Sequence, residues 1–501
     1  MLADTPTSQS DATGAAGSPP PPRDPPAQVL IAGGGIAALE LLLALRVLAG
    51  PRVAIKLLTA GAQFAPRAMS VAEPFERGAA QMLDWRQIAS EQGAELVLDS
   101  LVAVDRAARI VFTHGGRRLP YDALVIATGA RRVVPFAGAA TFGMRSSATA
   151  DVRAVIDRVL AHPEASIAFA LPSPSSWPLP LYELALLAAH ELREHACGAA
   201  VRIVTPEQQP LAIFGAAAGD ALKPMLEMLG VEVVTGAQPR EVVAGGVLLD
   251  DGAVVAADDV VTLAAIVARP IAGLPSDRLG FVPVDLHGRV AGEGAVYAAG
   301  EVTSFPLRQG GLATQQADAV AEAIAAEAGA GNVPAPFRPV LRGRMLTNGA
   351  PLFLQSRPSG ESLASTRPLW SPAGKVAGRY LAPYLATARP GRLGAAPMVE
   401  RVVAAAGAPD GARDAVVLAL ALAAAEERAG NGALAEQARE AANALAQTMM
   451  PGAGATAKTT AVRHGSRTRK PPSAGSDAIP AAATRSRTSA ISAALSRYTV
   501  Q

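Results

Sequence analysis

Cysteine is nearly absent from this 501-residue sequence, which contains only Cys197. A disulfide scaffold is therefore excluded, and so is redox chemistry that needs a pair of neighbouring thiols. Aromatic residues are scarce at 4%, and charged residues make up 18%, against about 25% in an ordinary soluble domain. Half of the residues are apolar, which excludes a wholly disordered chain. The length predicts two or three domains with cores of alanine, valine and leucine.

A membrane-spanning helix is not indicated either. The apolar run at 415–425 is shorter than the ~18 residues that a span needs. Residues 1–27 are rich in serine, threonine, proline and aspartate, so we expect a flexible leader and not a secretion signal. The default expectation is a cytoplasmic protein, with peripheral contact at the inner face of a membrane left open.

The six histidines show no metal-ligand spacing, so no metal site is predicted.

The net charge of +2 hides an uneven distribution. Residues 449–501 carry eight Lys or Arg and one acid, a charge of +7, which leaves −5 for residues 1–448. We interpret this segment as a disordered, solubilising tail because its other residues are mainly Ala, Ser and Thr. Contact with acidic lipid or nucleic acid is the alternative. No nucleic-acid partner is expected.

A glycine-rich turn at 33–35 follows the apolar run at 28–32 and precedes the apolar stretch at 36–45. This order predicts a buried strand, a tight turn and a helix, with a second strand at 53–58, as in one βαβ unit of a parallel sheet. The spacing Gly-x-Gly-x-x-Ala is typical of dinucleotide sites, because the second glycine lets the backbone approach a pyrophosphate at the helix N-terminus. The alternative is the turn of an ordinary βαβ crossover. The candidate binding residues are Gly33, Gly34, Gly35, Ile36, Ala37 and Ala38.

The acid that usually follows the second strand and binds the ribose is missing. The strand ends at Thr59, and the next acid along the chain is Glu73. Thr59 is therefore the candidate for a weaker hydrogen bond to a ribose.

A second alternation of strands and helices follows the first. Residues 96–104 and 108–113 are predicted to be short antiparallel strands. Further on, strands are expected at 166–170, 201–205, 231–234, 260–265 and 295–299, with helices at 151–161, 181–194 and 219–229. The chain is thus expected to build one nucleotide-type fold, enter a second and return to the first.

Three stretches, in this order, resemble signatures of the FAD-dependent pyridine nucleotide-disulfide oxidoreductase superfamily, the two-dinucleotide-domain flavoproteins. They are the fingerprint at 33–38, the apolar strand at 121–127 with its Ala-Thr-Gly end, and the strand at 296–299 followed by Gly300 and Glu301. Residues 306–320 resemble the family's next helix. The resemblance implies bound FAD, although Glu301 replaces the usual Asp. It adds these residues to the candidate cofactor site: Ala127, Thr128, Gly129, Gly300, Glu301, Gly311, Leu312 and Ala313.

The resemblance also implies an α/β fold of two Rossmann-like, three-layer domains. In the family, the helix near Gly311 directs its positive N-terminus at the flavin, which favours the anionic reduced form. The alternative for the glycine pair at 310–311 is close backbone packing. The expected division is a leader at 1–27, an FAD-binding domain at 28–150 and 266–330, an NAD(P)-binding-like domain at 151–265, an interface region at 331–400, a helical hairpin at 401–448 and the tail at 449–501.

The second turn departs from a nicotinamide site. Where the family has Gly-x-Gly-x-x-Gly, residues 171–180 contain four prolines and three serines. Proline supplies no N–H donor, so a phosphate would depend on serine hydroxyls. The turn looks more like that of the sulfide:quinone reductase branch, but the single cysteine disfavours sulfide oxidation by the usual route.

Two charged residues are the candidate catalytic groups. Glu183 matches the acid of the family's Gly-x-Glu-x-Ala stretch near the flavin, and Lys375 is placed to approach the flavin's polar edge. The alternatives are a solvated helix residue and a surface lysine. Gln315 and Gln316 resemble the glutamine pair that lies near the quinone in type II NADH dehydrogenases, with plain solvation as the alternative.

The sequence therefore predicts an FAD-dependent oxidoreductase nearest the type II NADH dehydrogenase and sulfide:quinone reductase-like branch. Electrons would pass from a small donor, with NAD(P)H among the candidates, through the flavin to a quinone or another small acceptor. One alternative is a non-catalytic flavin-fold regulatory or assembly protein with an eroded second site. Another is a reductase that takes its electrons from a protein partner. A homodimer is left open.

Overall fold

A computed structural model describes residues 24–144, 147–292 and 295–387 of the chain. The hairpin expected at 401–448, the tail expected at 449–501 and all but the last residues of the expected leader lie outside these ranges. The three described ranges contain every residue named as a candidate for cofactor binding or catalysis.

The first range begins with the expected strand, turn and helix. The apolar residues of the first strand are buried because both faces of their sheet are covered. A 3-10 helix at Arg67–Phe75 connects this unit to the strands that follow. The elements are β1 (Ala27–Ala32), α1 (Ile36–Leu48), β2 (Val53–Thr59), β3 (Gln63–Phe64), β4 (Leu83–Asp84), α2 (Trp85–Glu91), β5 (Glu95–Leu98), β6 (Leu101–Asp105), β7 (Ile110–Thr113), β8 (Arg118–Pro120), β9 (Ala123–Ile126), β10 (Arg131–Val133) and β11 (Ala140–Phe142).

The second range contains the second alternation of strands and helices. Its second helix starts with Leu-Pro-Leu, where proline is tolerated because a first-turn N–H has no partner within the helix. The elements are α3 (Ser147–Ala161), β12 (Ser166–Ala170), α4 (Leu179–Glu194), β13 (Ala200–Val204), α5 (Ala216–Leu229), β14 (Glu232–Val234), β15 (Pro239–Val243), β16 (Gly246–Leu249), β17 (Val254–Ala256), β18 (Asp259–Leu263) and β19 (Ala265–Val267).

The third range returns to the first sheet and then adds a small sheet of its own. Its long helix is rich in alanine, which favours helix and allows close packing against α1. The elements are β20 (Val296–Ala298), α6 (Gly310–Glu327), β21 (Leu341–Met345), β22 (Leu352–Ser356), β23 (Ser362–Ser365) and α7 (Leu381–Thr387).

Two parallel sheets form the framework, which confirms the predicted α/β class of two Rossmann-like units. The first has the order β20-β9-β1-β2-β5 and the second the order β11-β18-β12-β13-β14. On one face of the first sheet, α1 and α6 pack side by side in a common apolar core. The other face packs on the three-stranded sheet β6-β7-β8. The strand order changes direction at β1, which places the carboxyl ends of β1, β9 and β20 where open α/β sheets bind ligands.

One expected element differs. The stretch at 96–104 was predicted as antiparallel, but β5 runs parallel to β2 and only β6 pairs antiparallel, with β7. The break between them comes at Asp99, whose side chain accepts hydrogen bonds from the N–H groups of Ser100 and Gly115. This turn redirects the chain from one sheet to the other. In the part of the chain described here, no helix combines the length and the hydropathy of a membrane span.

Candidate functional site

The glycine turn after β1 is dictated by the close approach of two backbones. Gly33 has φ +146°, and its N–H donates to the Leu58 carbonyl at 2.8 Å. A Cβ on Gly33 would lie 2.0 Å from the Ala127 carbonyl oxygen, and one on Gly34 would lie 2.2 Å from Thr59 Oγ1. Only glycine fits at these two positions, so they build the turn itself.

Gly35 differs from its neighbours because it faces open space. Its backbone is extended, and a Cβ built on it meets no atom within 4 Å. Gly35 is the N-cap of α1, where no side chain caps the helix and no acid stands in the first turn. The free N–H groups and the helix dipole therefore offer an anion site in front of Gly35. Ile36, Ala37 and Ala38 form the first turn behind it, with Ala37 and Ala38 buried.

Thr59 and Trp85 lie behind the turn. The Thr59 side chain is 4% exposed, and its hydroxyl donates to the Gly61 carbonyl at 3.2 Å. The Trp85 ring is fully buried, and its Nε1 has no hydrogen-bond partner among the described residues. This nitrogen would be 3.2 Å from a Cβ on Gly34. A buried N–H donor without a partner is costly, and this one stands directly behind the glycine turn.

The second and third signatures meet at the same edge of the sheet. Gly129 and Gly300 both have positive φ, +70° and +86°, immediately after β9 and β20. Glu301 Oε2 would lie 3.8 Å from a Cβ on Gly129, and its Oε1 pairs with Arg132 Nη2 at 2.9 Å. Thr128 links the two turn residues Ala127 and Gly129. The sequence did not single out Arg132, which lies in β10 and contacts Glu301 although 169 residues separate the two in the chain.

The helix expected near Gly311 begins at Gly310. Its N-cap is Gln309, whose Oε1 accepts a hydrogen bond from the Leu312 N–H at 2.8 Å. A Cβ on Gly310 would lie 3.0 Å from Ile36 Cδ1, so the starts of α1 and α6 are in contact. Gly311, Leu312 and Ala313 are buried in the first turn of α6. The glycine pair at 310–311 therefore does both things considered for it: it lets α6 pack closely against α1, and it begins a helix whose N-terminus faces the edge of the sheet.

A cavity of about 390 Å³ opens where these elements meet the second sheet. Its size lies within the usual range for small-molecule sites. Residues from both nucleotide-type folds and from the region after 331 line it. The lining includes Ile36, Arg67, Val71, Arg132, Phe142, Ser173, Ser175, Ser176, Trp177, Leu179, Ile266, Glu301, Arg308, Gln309, Gly310, Lys375 and Val376.

Glu183 and Lys375 form a buried ion pair at the back of this cavity. Lys375 Nζ lies 2.6 Å from Glu183 Oε1 and 2.7 Å from Oε2, with the two side chains 7% and 0% exposed. The Leu346 N–H also donates to Glu183 Oε1, at 2.7 Å. Burial raises the pKa of Glu183, and Lys375 partly opposes that rise. The alternatives of a solvated helix residue and a surface lysine are therefore wrong, and Lys375 alone of the pair lines the cavity.

Gln315 and Gln316 hold backbone segments in place. Gln316 Oε1 accepts from the Gly300 N–H at 2.7 Å, and its Nε2 donates to Thr303 Oγ1 at 3.3 Å. Gln315 donates to the Gly311 and Val340 carbonyls and accepts from the Val340 N–H. The alternative of plain solvation is therefore wrong, because Gln316 is 7% exposed and both amides have internal partners.

The proline-rich turn after β12 uses its own hydrogen-bonding groups internally. The Ser175 N–H donates to Ser173 Oγ, the Ser176 N–H to the Ser173 carbonyl, and the two hydroxyls of Ser173 and Ser175 lie 3.0 Å apart. At the start of α4, the Leu181 N–H donates to Pro178, and Pro180 has no N–H. A phosphate would therefore find few free donors at this turn, in contrast to the turn at Gly35.

Comparisons with known proteins agree with this arrangement. The model of the family described as pyridine nucleotide-disulphide oxidoreductase matches residues 27–162 and 183–326, more than half of the chain. An NADH dehydrogenase-like protein of Mycobacterium tuberculosis is 30% identical over 225 residues, which are 42% of this chain and 56% of the relative. The chain thus spans little more than half the length of that relative.

Solved structures show the same fold at low sequence identity. A sulfide:quinone oxidoreductase from Aquifex aeolicus is similar with a TM-score of 0.61 and 18% identity, over 68% of this chain and 86% of that one. The covalent putidaredoxin reductase–putidaredoxin complex is similar with a TM-score of 0.50 and 19% identity, over 66% and 81% of the two chains.

Proposed function

The chain belongs to the pyridine nucleotide-disulphide oxidoreductase family of FAD-dependent oxidoreductases, and from that premise we propose that it passes electrons from a small donor through FAD to a quinone or another small acceptor. One observation supports this most strongly. The first residues of α1 and α6, Ile36 and Gly310, and Glu301 after β20 line a single cavity.

The residues at this edge fit FAD, and each has a distinct task. The pyrophosphate would lie in the open space before Gly35, on the free N–H groups of α1. Trp85 Nε1 supplies an unpaired donor beside the same turn. Glu301 carries a carboxylate oxygen toward Gly129, where it would accept from a ribityl hydroxyl, and Arg132 fixes its direction. Thr59 is expected to contribute little, because its hydroxyl proton is used at Gly61.

FAD, when bound, supplies the two-electron redox chemistry. The chain would supply position and charge. The N-terminus of α6 places a partial positive charge at the cavity, and the ammonium group of Lys375, which Glu183 neutralises and holds in place, offers an N–H donor there. Phe142, Trp177 and Val376 give the cavity apolar walls, and electrostatic interactions are stronger beside such walls than in open water.

The second nucleotide-type unit has a different role from that of a dinucleotide domain. Its turn at 171–180 has four prolines and internally bonded serine groups, so a nicotinamide pyrophosphate would be weakly held. We propose that this unit closes the cavity with Trp177 and Leu179 and that the donor is a smaller molecule.

The test is reconstitution with FAD followed by anaerobic reduction. We expect a visible flavin band that remains with the protein on gel filtration, slow reduction by NADH or NADPH at millimolar concentration, and reoxidation by a soluble quinone. Protein that retains no flavin after reconstitution would overturn the proposal. Flavin that binds but is reoxidised by no quinone would favour the non-catalytic alternative.

A further inference from the structure

Arg308 lines the cavity, and its guanidinium stacks on an aromatic ring instead of pairing with a carboxylate. Its guanidinium carbon lies 3.7 Å from the centre of the Phe281 ring, and its Nη1 donates to the Pro306 carbonyl at 2.9 Å. Arg308 Nε is buried without a hydrogen-bond partner, and the side chain forms no ion pair within residues 24–144, 147–292 and 295–387. Stacking therefore fixes the plane of a guanidinium whose other N–H groups remain available.

Two of the other cavity cations are already neutralised. Arg132 pairs with Glu301, and Lys375 pairs with Glu183. Arg67, which is exposed at the rim, donates to the Met144 carbonyl. Arg308 thus brings a positive charge that no carboxylate of the described chain balances by contact, into a partly enclosed site where such a charge acts strongly.

The rest of the cavity limits what could meet this charge. Trp177, Phe142, Val71 and Leu179 give it a broad apolar wall. The serine turn cannot offer a cluster of free N–H groups to a pyrophosphate, because the Ser175 and Ser176 N–H groups are used within the turn. A single planar guanidinium beside an apolar surface is complementary to a ligand that carries one carboxylate on an apolar group.

We propose that the cavity binds a small organic carboxylate, with its two oxygens on Arg308 and its apolar body against Trp177 and Phe142. This assignment rests on the proposed function, since it takes the cavity as the space beside the flavin. Arg308 would be a substrate-binding residue that selects the ligand by charge, and the donor or acceptor of the reaction would carry the carboxylate. Loss of a charge-assisted hydrogen bond of this kind weakens binding by roughly 10- to 100-fold.

The experiment uses FAD-loaded protein and two probes of the same shape, benzoate and benzamide. Calorimetry and the flavin difference spectrum report binding without any turnover. We expect saturable benzoate binding and benzamide binding at least about 10-fold weaker. In Arg308→Gln, benzoate should bind about 10- to 100-fold more weakly while benzamide is unchanged. Arg278→Gln, at an exposed arginine outside the cavity lining, should leave both probes unchanged.

Several outcomes would overturn the assignment. Equal affinities for benzoate and benzamide would show that the cavity does not select its ligand by charge. Unchanged benzoate affinity in Arg308→Gln would show that Arg308 does not bind the carboxylate. Tighter binding of phenyl phosphate than of benzoate would replace the carboxylate with a phosphate ligand. If Arg308→Gln loses FAD, Arg308→Lys repeats the comparison with the charge kept and the fork removed, and an undiminished benzoate affinity there would also contradict the assignment. A wild-type protein without flavin would instead contradict the proposed function.

Discussion

Lys375 Nζ lies 2.6 Å from Glu183 Oε1, although 192 residues separate the two in the chain. Glu183 stands on α4 of the second nucleotide-type unit, whereas Lys375 belongs to the region after the last β-sheet. The pair therefore connects two parts of the chain at the cavity, and its charges are almost wholly removed from water. A buried pair of this kind is costly to break from one side, because the remaining charge stays buried without its counter-ion.

Replacement of Lys375 by methionine removes one charge of this pair and should therefore destabilise the protein. The side chain keeps its approximate volume, but Glu183 stays buried with the Leu346 N–H as its remaining hydrogen-bond donor and a smaller attraction from Arg344. We expect Lys375→Met to lower the free energy of unfolding by about 3–5 kcal/mol at pH 7, as measured by urea denaturation. The double variant Glu183→Gln/Lys375→Met should recover most of the loss, since no charge remains to be buried. A single variant within about 1 kcal/mol of wild type would contradict this account.

The two glycines at the ends of the first turn should separate folding from cofactor binding. Gly33→Ala places a Cβ 2.0 Å from the Ala127 carbonyl and should prevent stable folding. Gly35→Ala meets no protein atom, so the FAD-free protein should keep its stability, within about 0.5 kcal/mol.

FAD affinity gives the second half of that comparison. The new methyl group of Gly35→Ala would stand where the pyrophosphate approaches α1, so we expect FAD to bind at least about 10-fold more weakly by fluorescence titration. Gly349→Ala, also without a neighbour within 4 Å, is the matched control and should bind FAD normally. Equal FAD affinity in both variants would place the pyrophosphate elsewhere.

The sequence predicted the framework because the parallel strands are short apolar runs, and those of the first βαβ unit end just before Gly33 and at Thr59. The strand at Ser166–Ala170 has the predicted bounds, and the helix after the glycine turn begins at Ile36 as expected. Such local patterns depend only on neighbours in the chain. The parallel pairing of Leu96 with Leu57 was not predicted. The sequence of a short edge strand does not indicate whether its partner runs parallel or antiparallel to it.

The pairings across the site were beyond sequence reasoning. Glu183 and Lys375 were each named, but their contact joins elements that lie far apart in the chain. Arg308 lies in the stretch 306–320 but was not named as a site residue. Its stacking partner, Phe281, precedes β20 and lies far from it in the sequence. Charge and burial at a site are set by tertiary contacts, which composition and periodicity do not report.

The two glutamines of α6 provide a matched pair for the cofactor site. Gln316→Leu would leave the Gly300 N–H without its acceptor at the turn that carries Glu301. We expect a loss of about 1–3 kcal/mol in unfolding free energy together with weaker FAD binding. Gln315→Leu removes the hydrogen bonds to Val340 and one donor to the Gly311 carbonyl, which keeps the Thr314 hydroxyl as a donor, so it should lower stability while FAD affinity stays near the wild-type value. If both variants bind FAD as wild type does, Gln316 does not support the cofactor turn.

A pair of buried carboxyl groups should make stability depend on pH. Glu40 on α1 accepts hydrogen bonds from the Tyr380 and Leu381 N–H groups, and it lies beside Asp318 of α6. Burial raises the pKa of Glu40 from 4.5 to about 7, and burial together with Glu40 raises that of Asp318, which Arg379 partly opposes. Folded Glu40 therefore keeps a proton that the unfolded chain releases near pH 4.5, and folded Asp318 keeps one that the unfolded chain releases near pH 3.8. The stability that Glu40 contributes in this way is complete below pH 4.5 and is lost as the pH rises through about 7, and the contribution of Asp318 is likewise lost as the pH rises.

Asp318→Asn should reveal this linkage, because the asparagine amide can donate to Glu40 as a protonated carboxyl does, without needing a proton from solvent. The variant should gain stability relative to wild type as the pH rises, by an amount on the order of 1–3 kcal/mol between pH 5 and pH 8 in urea denaturation. Glu322 is paired with Arg379 and stays as it is in both proteins, so the comparison isolates the carboxyl pair. Asp220→Asn, at an exposed position of α5, should follow the wild-type profile at every pH. If Asp318→Asn also runs parallel to wild type across this range, Asp318 and Glu40 do not hold an extra proton in the folded protein, and α1 and α6 must accommodate two buried charges at neutral pH.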